Sequence, residues 1–395
     1  METALKRRLG LPLLTAYGVG IMVGAGIYVL VGLVAGQAGV WAPVSFLIGA
    51  AVVVPTALTF AELSARIPEA AGDSSYVEVG LRQHWLAVGV GWINIIAGTV
   101  AAAAVLRGGV GYLEAILPIP FPLAVIGLGL LLTGIALVGV LESLAFAAVL
   151  TLIEVAGLLI VSWAGLTAVP VEDWLAPPAP EWNGIIAASI FAIFAFIGFD
   201  DLVNMAEEAK EPTRTMPKAI LLSLAITAVL YGLVALAAVR AVPREVLGES
   251  HRPLALVWET ATGTGSGFLS LIAVAAALNG VLAQIVMAAR VLFGLGKRSP
   301  GFRIFRKVHP RFGTPVLGTL VIGGVVIASA LTLPVATLAE ITSQALLIVF
   351  SIVNAALIGA KRKQPDAPFR VPAWVPWTGL ILSLGALVMS LGGLG

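Results

Sequence analysis

The stretch GVGIMVGAGIYVLVG, residues 18–32, carries glycine at positions 18, 20, 24, 26 and 32 inside the first long apolar run of the chain. Each glycine costs a helix about 1 kcal/mol relative to alanine. Two physical readings account for spending so many of them in one place. Gly20-xxx-Gly24 is a small-residue face on which a second helix can pack closely. Alternatively, the helix opens near Gly24, the centre of the run 13–36. Backbone that leaves helical geometry at membrane depth is tolerated only where it lines a cavity inside the protein.

Composition establishes that the run crosses a membrane. Of 395 residues 59% are hydrophobic and 11% charged, and the mean hydropathy is +1.04. A soluble domain carries roughly 25% charged residues. Runs near the length of about 20 residues that spans a bilayer recur at 13–36, 42–65, 84–113, 122–140, 144–168, 185–209, 217–240, 268–293, 315–333, 336–359 and 372–393. The ten-residue alternation of a membrane barrel does not appear. The expected fold is an all-α polytopic membrane protein with a single transmembrane domain over 1–395.

Basic residues orient it. With the N-terminus inside, eighteen of the 23 Lys and Arg fall on the inner side. Only Arg240, Arg244 and Arg252 fall outside, and Arg107 and Arg290 lie within spans. This asymmetry predicts a multi-pass protein of the cytoplasmic membrane, N-terminus in and, with eleven spans, C-terminus out. The first run is too long for a signal-peptide core and many spans follow, so it is expected to be retained.

Several chemistries are disfavoured. There is no Cys, hence no disulfide and no thiolate metal site. His84, His251 and His309 sit far apart in loops, which argues against a metal centre. The net charge of +2 comes from inner loops facing anionic lipid rather than from a nucleic-acid patch. Val23 stands where a dinucleotide fingerprint needs its third glycine, and no cofactor is expected.

A second weak point lies in span six, where Gly198 precedes adjacent Asp200 and Asp201 close to the span centre at Ile197. On translocon scales an ionised Asp costs about 2.5–3.5 kcal/mol at a helix centre. Neighbours on a helix diverge by about 100°, so both carboxylates face one polar site only if the helix opens, unless they lie nearer the inner interface. Midplane breaks in spans one and six are the pattern of a five-plus-five inverted repeat. Repeat one would cover about 13–168 and repeat two about 185–359, with 372–393 a peripheral eleventh helix.

The residues around these breaks carry a resemblance. VGIMVGAGIYVLVG (19–32) resembles the first-span signature of the amino acid–polyamine–organocation superfamily of transporters. FAFIGFDDLVNMAEEAKEPTRTMPKAI (194–220) is similar to its sixth span and following loop. The segment 277–315 is similar to its eighth span and basic inner loop, and FAELSARIPEAAGDSSYVEVG (60–80) to the loop after span two. Bacterial amino acid permeases near the cationic amino acid transporter branch are the nearest in pattern. The chain departs from the family in having eleven spans rather than twelve, and Gly72-Asp73 where relatives have paired glycines.

The resemblance implies a leucine-transporter-like fold whose breaks in helices one and six hold the charged ends of the substrate. In that reading Met22, Val23, Gly24, Ala25 and Gly26 line the substrate site: the first half of helix one ends near Val23, and the N-terminal amides of a second half starting near Gly26 suit a carboxylate. Carbonyls of Phe194, Ala195, Phe196, Ile197 and Gly198 suit an ammonium group. Phe194 matches the aromatic outer gate of the family; a core or lipid-facing Phe194 is the alternative.

Sodium-coupled proteins of this fold draw hydroxyls from span eight, which offers only Ser270 near its outer end. Asn279 and Gln284 are amides that cap the pocket or bond between helices. A proton is therefore the expected driving ion. Glu154, two residues from the centre of span five, is a candidate carrier together with Asp200 and Asp201; a structural Glu154, bonded between helices, is the alternative. Arg107 lies roughly 12 Å outward of the centre of span three at 1.5 Å per residue. It either snorkels to the interface, pairs with Glu114 or Glu340, or meets an anionic substrate.

The expected function is secondary active transport of an amino acid, with a polyamine or other organic amine as the alternative substrate and exchange as the alternative mode. Adjacent Asp200 and Asp201 have the wrong geometry for a proton-sharing catalytic pair, so no enzyme is expected. The expected partners are the solute, protons and the lipid bilayer, with no nucleic acid.

Overall fold

The structure is a computed structural model that describes residues 9–24, 26–68, 72–139, 144–171, 174, 176–298, 300–309 and 312–392. Ala25, the basic residues Lys6, Arg7 and Arg8, and Arg311 lie outside the described residues. The first run forms two helices, α1 (Leu11–Val23) and α2 (Gly26–Ala38). There follow α3 (Ala42–Arg66), α4 (Gly72–Leu81), α5 (His84–Leu113), α6 (Phe121–Val138) and α7 (Leu144–Thr167). Span six forms α8 (Trp182–Ala195), a non-helical turn, and a 3₁₀ segment, Asp201–Glu208. Then come α9 (Pro212–Ala241), α10 (Arg244–Glu249), α11 (Pro253–Thr262), α12 (Gly267–Arg298), α13 (Val316–Thr332), α14 (Val335–Lys363) and α15 (Trp374–Leu391). The one backbone bridge recorded, Leu9 with Ala209, joins the start of α1 to the end of the 3₁₀ segment.

Local chemistry explains the boundaries. Pro12, Pro43, Pro122, Pro212 and Pro253 fall in first turns, where a missing N–H costs nothing. Gly139 and Gly263 close α6 and α11 with positive φ. Among the described residues, eight helical runs are long and apolar enough to cross a membrane, one of them the continuous stretch Gly26–Arg66. Leu11–Val23, Trp182–Ala195 and Val316–Thr332 are shorter apolar helices. Among the described residues each expected span overlaps at least one helix, and the run at 84–113 coincides with α5.

The structure corrects two expectations here. Span six is α-helical only to Ala195; its second part is 3₁₀. The region 60–80 is not simply a loop, since it holds the end of α3 and nearly all of α4, a helix too short and polar to read as a span.

Packing is reciprocal between the first and second halves. The helices of spans two and seven (α3 and α9), three and eight (α5 and α12), and four and nine (α6 and α13) pack against each other. In the same sense α1 packs on α9 and α7, while α8 packs on α3 and α14. The connection to α15 is pinned by fully buried Glu62, which accepts from Arg66, from Lys361 and from the Val371 amide.

Candidate functional site

The end of α1, the start of α2 and the end of α8 meet in one junction. At the end of α8 the amides of Phe196 and Ile197 turn back onto the carbonyls of Ile193 and Phe194, at 3.0 and 3.1 Å. Gly198 then takes φ = +124°, a conformation open to glycine and strained for other residues. Its amide donates to Asp200 Oδ1 at 3.0 Å, so Asp200 fixes the turn that breaks its own helix. Tyr231, at the centre of α9, closes the junction from the side. Its phenolic oxygen lies 2.6 Å from the Met22 carbonyl and 2.9 Å from the Ala195 carbonyl. The phenol has one proton, so it donates to one of these at a time. Of the carbonyls expected to be free for an ammonium group, that of Phe194 already accepts from the Ile197 amide, and that of Ala195 shares the Tyr231 hydroxyl with Met22.

Close packing accounts for most glycines of the opening stretch. A Cβ at Gly26 would stand 2.9 Å from the Ala195 Cα, and one at Gly32 would stand 2.6 Å from the Leu247 carbonyl oxygen. Cβ atoms at Gly18 and Gly20 would collide with Ser223 and Thr151. One at Gly198 would collide with Ile21 of α1. Small-residue packing thus operates along this segment.

Beside the junction lies a cavity of about 420 Å³, walled by the N-terminus of α4, by α5, the 197–208 segment, α12 and α14. Asp200 and Asp201 both line it, the arrangement that an opened helix permits. Asp201 Oδ2 accepts from Gln284 Nε2 at 3.1 Å, and Asp73 Oδ2 accepts from Asn94 Nδ2 at 2.8 Å. Burial, with the Asp200 carboxyl in electrostatic range, holds the Asp73 carboxyl well above the usual carboxylate range. Of the residues expected around the substrate, Ile197 lines this cavity. Met22, Val23, Gly24, Gly26, Phe194, Ala195, Phe196 and Gly198 are buried in the surrounding protein.

The remaining candidates are dispersed. Glu154 is buried on α7, its backbone carbonyl accepting from the Tyr28 hydroxyl at 3.0 Å. Its helix packs against α1 and α9, the helices that Tyr231 joins. Asn279 is half-buried on α12 and does not line the cavity. Ser270 is buried with its hydroxyl unpartnered. Arg107 donates to the Ala330 carbonyl at the end of α13, at 2.6 Å, and its guanidinium lies 4.8 Å from the centre of the Phe121 ring. Among the described residues no group of three His, Asp or Glu side chains is placed to hold a metal ion.

Sequence reading missed Tyr231, Asp73 and Asn94. A lone tyrosine in the middle of the run 217–240 was the available signal for Tyr231. On the face remote from the cavity, α10 and α11 close over α2 and α5. Gly36 meets Gly248, Gly111 meets the His251 carbonyl, and Tyr112 bridges the Leu254 amide (3.2 Å) and the Tyr28 carbonyl (2.7 Å).

Comparison with known proteins extends over nearly the whole chain. The family model described as amino acid permease matches residues 9–393. The branched-chain amino acid permease BcaP of Bacillus subtilis (strain 168) is 27% identical, over 99% of this chain and 89% of the relative. The methylthioribose transporter of the same organism is 30% identical, over 93% of this chain and 84% of the relative. Cationic amino acid transporter 4 of Mus musculus is 31% identical over 93% of this chain, which spans 62% of that longer protein.

Proposed function

Because this chain belongs to the amino acid permease family, transporters of the amino acid–polyamine–organocation superfamily and not enzymes, we propose that it carries amino acids across the cytoplasmic membrane by proton-coupled alternating access. The N-terminus is inside and the C-terminus outside in this reading. The observation that carries it is the junction of the ends of α1 and α8, bridged by Tyr231 and lying beside a cavity, with α10 and α11 closing over the opposite face of the molecule. A protein that closes one end of a path while leaving a cavity toward the other is in one of the two states that alternating access needs.

The reciprocal packing of the first and second halves supports a five-plus-five inverted repeat, with α15 peripheral. Substrate binds at the junction, its carboxylate at the start of α2 through Gly24, Ala25 and Gly26, and its ammonium group toward the turn after α8. Since the Tyr231 hydroxyl donates to the Met22 or the Ala195 carbonyl, one at a time, the other is the acceptor available to the ammonium group. Glu154 is the coupling carboxyl, beside Tyr231, and Asp200 and Asp201 are the next in line. Two of the relatives are named for amino acids, which supports that substrate class. Asp73, Asp200 and Asp201 on the cavity wall favour a cationic amino acid or polyamine as the second reading.

Counterflow in proteoliposomes tests the proposal. A carrier loaded with unlabelled solute accumulates external labelled solute without a net driving force, and its absence for every amino acid and amine in a panel would reject transport of these classes. Replacing sodium by choline should leave binding unchanged, because α12 supplies Ser270 alone as a hydroxyl toward its outer end; a large loss in choline would show sodium coupling.

A further inference from the structure

The chain between α12 and α13 serves neither the junction nor the cavity directly, yet it is built in detail. Phe302 packs on Trp92 of α5, with ring centroids 4.7 Å apart, and Phe305 packs against the core. A Cβ at Gly296 of α12 would stand 2.8 Å from the Phe302 carbonyl oxygen, so the segment is pressed onto the end of that helix. The His309 amide donates to the Thr314 carbonyl at 2.8 Å, and the Thr314 hydroxyl donates to the Leu137 carbonyl at the end of α6, at 2.6 Å. Its inner residues are therefore fixed to three helices.

Its outer residues are of two kinds. Arg303, Arg306 and Lys307 are exposed, and between and beyond them Ile304, Val308 and Phe312 are 59%, 45% and 40% exposed. No Asp or Glu occurs between Glu259 and Glu340, so this surface has no acidic neighbours in sequence. Because α12 and α13 are both apolar helices, the segment joining them stands at the membrane surface. Exposed aliphatic and aromatic groups interleaved with cations suit the boundary between acyl chains and anionic headgroups. A purely aqueous partner such as a nucleic acid leaves the apolar residues unexplained.

We propose that residues 301–309 with Phe312 form a binding surface for anionic phospholipid, and that lipid bound there steadies the cavity wall made by the end of α12. The link is direct: Arg290, Val291, Gly294 and Leu295 line the cavity one to three turns before the segment that Phe302 and Phe305 hold in place.

The test uses the full-length protein in phosphatidylcholine, titrated with phosphatidylglycerol and followed by thermal unfolding. Free glycerol phosphate is the second arm. Phosphatidylglycerol should raise the melting temperature and glycerol phosphate should not. The variant Arg303→Gln/Arg306→Gln/Lys307→Gln should melt like wild type in phosphatidylcholine and need roughly 100-fold more phosphatidylglycerol, taking about tenfold per 1.4 kcal/mol and about 1 kcal/mol per cation. If that variant does not fold, Lys307→Gln alone should shift the titration about fivefold on the same scale. A control, Arg214→Gln/Lys218→Gln, removes two exposed cations from the first turns of α9 and should respond like wild type. An equal response from the triple variant, an equal loss in the control, or stabilisation by glycerol phosphate would each overturn the proposal.

Discussion

The phenolic oxygen of Tyr231 stands 2.6 Å from the carbonyl oxygen of Met22, joining the middle of α9 to the end of α1. Last-turn carbonyls have no partner within their own helix, and inside a membrane water does not supply one. The same oxygen reaches the Ala195 carbonyl at the end of α8, so one side chain serves the ends of α1 and α8 alike.

Tyr231→Phe keeps the ring and removes this service. Leaving a buried carbonyl unpaired costs about 1–3 kcal/mol, so the variant should melt at a lower temperature than wild type. If the hydroxyl also switches partners during transport, counterflow should fall more steeply than stability does. Wild-type melting and counterflow together would show that the contact is incidental.

Gly26→Ala tests which role dominates at the start of α2. The new Cβ meets the Ala195 Cα, so the helices must separate, and Gly26→Ala should destabilise the protein with no ligand present; Gly26→Val should do so further. Gly198→Ala adds backbone strain of about 1–3 kcal/mol at φ = +124°. A Gly26→Ala protein that melts like wild type yet fails to bind substrate would mean that the glycine is kept for the substrate carboxylate rather than for packing.

Glu154→Gln imitates a permanently protonated carboxyl with nearly the same shape. If Glu154 carries the coupled proton, the variant should retain substrate affinity and counterflow and lose accumulation driven by an imposed pH gradient. Proteoliposomes with an inward proton gradient make the comparison. Undiminished accumulation would remove Glu154 from the mechanism and bring Asp200 and Asp201 forward.

Asp73→Asn addresses a carboxyl that burial holds above its ordinary range. In the unfolded chain it ionises near its reference value of about 3.9, whereas in the fold it ionises only at higher pH. Below the reference value both states are protonated and wild type and variant should match. Above it the unfolded chain ionises first, so this group lowers wild-type stability progressively until the folded carboxyl also ionises. Asp73→Asn should therefore melt higher than wild type at neutral and alkaline pH, with the difference vanishing near pH 3. A variant that is less stable at every pH would show that the bond to Asn94 outweighs the burial penalty.

Helix positions and the membrane class follow from local sums. Hydropathy over some twenty neighbouring residues is a property of consecutive sequence, so α5 could be delimited at 84 and 113 without any tertiary information. Gly198 and Asp200 were legible as a weak point because a glycine beside two charges is unfavourable in any apolar helix. The carbonyl partners of Tyr231 were not, since Met22 lies 209 positions away and only the packing of α9 against α1 brings them together. Asp73 was legible as an unusual residue beside Gly72, but its bond to Asn94 and its place on the cavity wall depend on α4 folding under α5. Hydrophobic burial is additive along the chain and survives loss of context. A hydrogen bond needs two groups within about 3 Å, and for groups far apart in sequence only the tertiary structure decides which two those are.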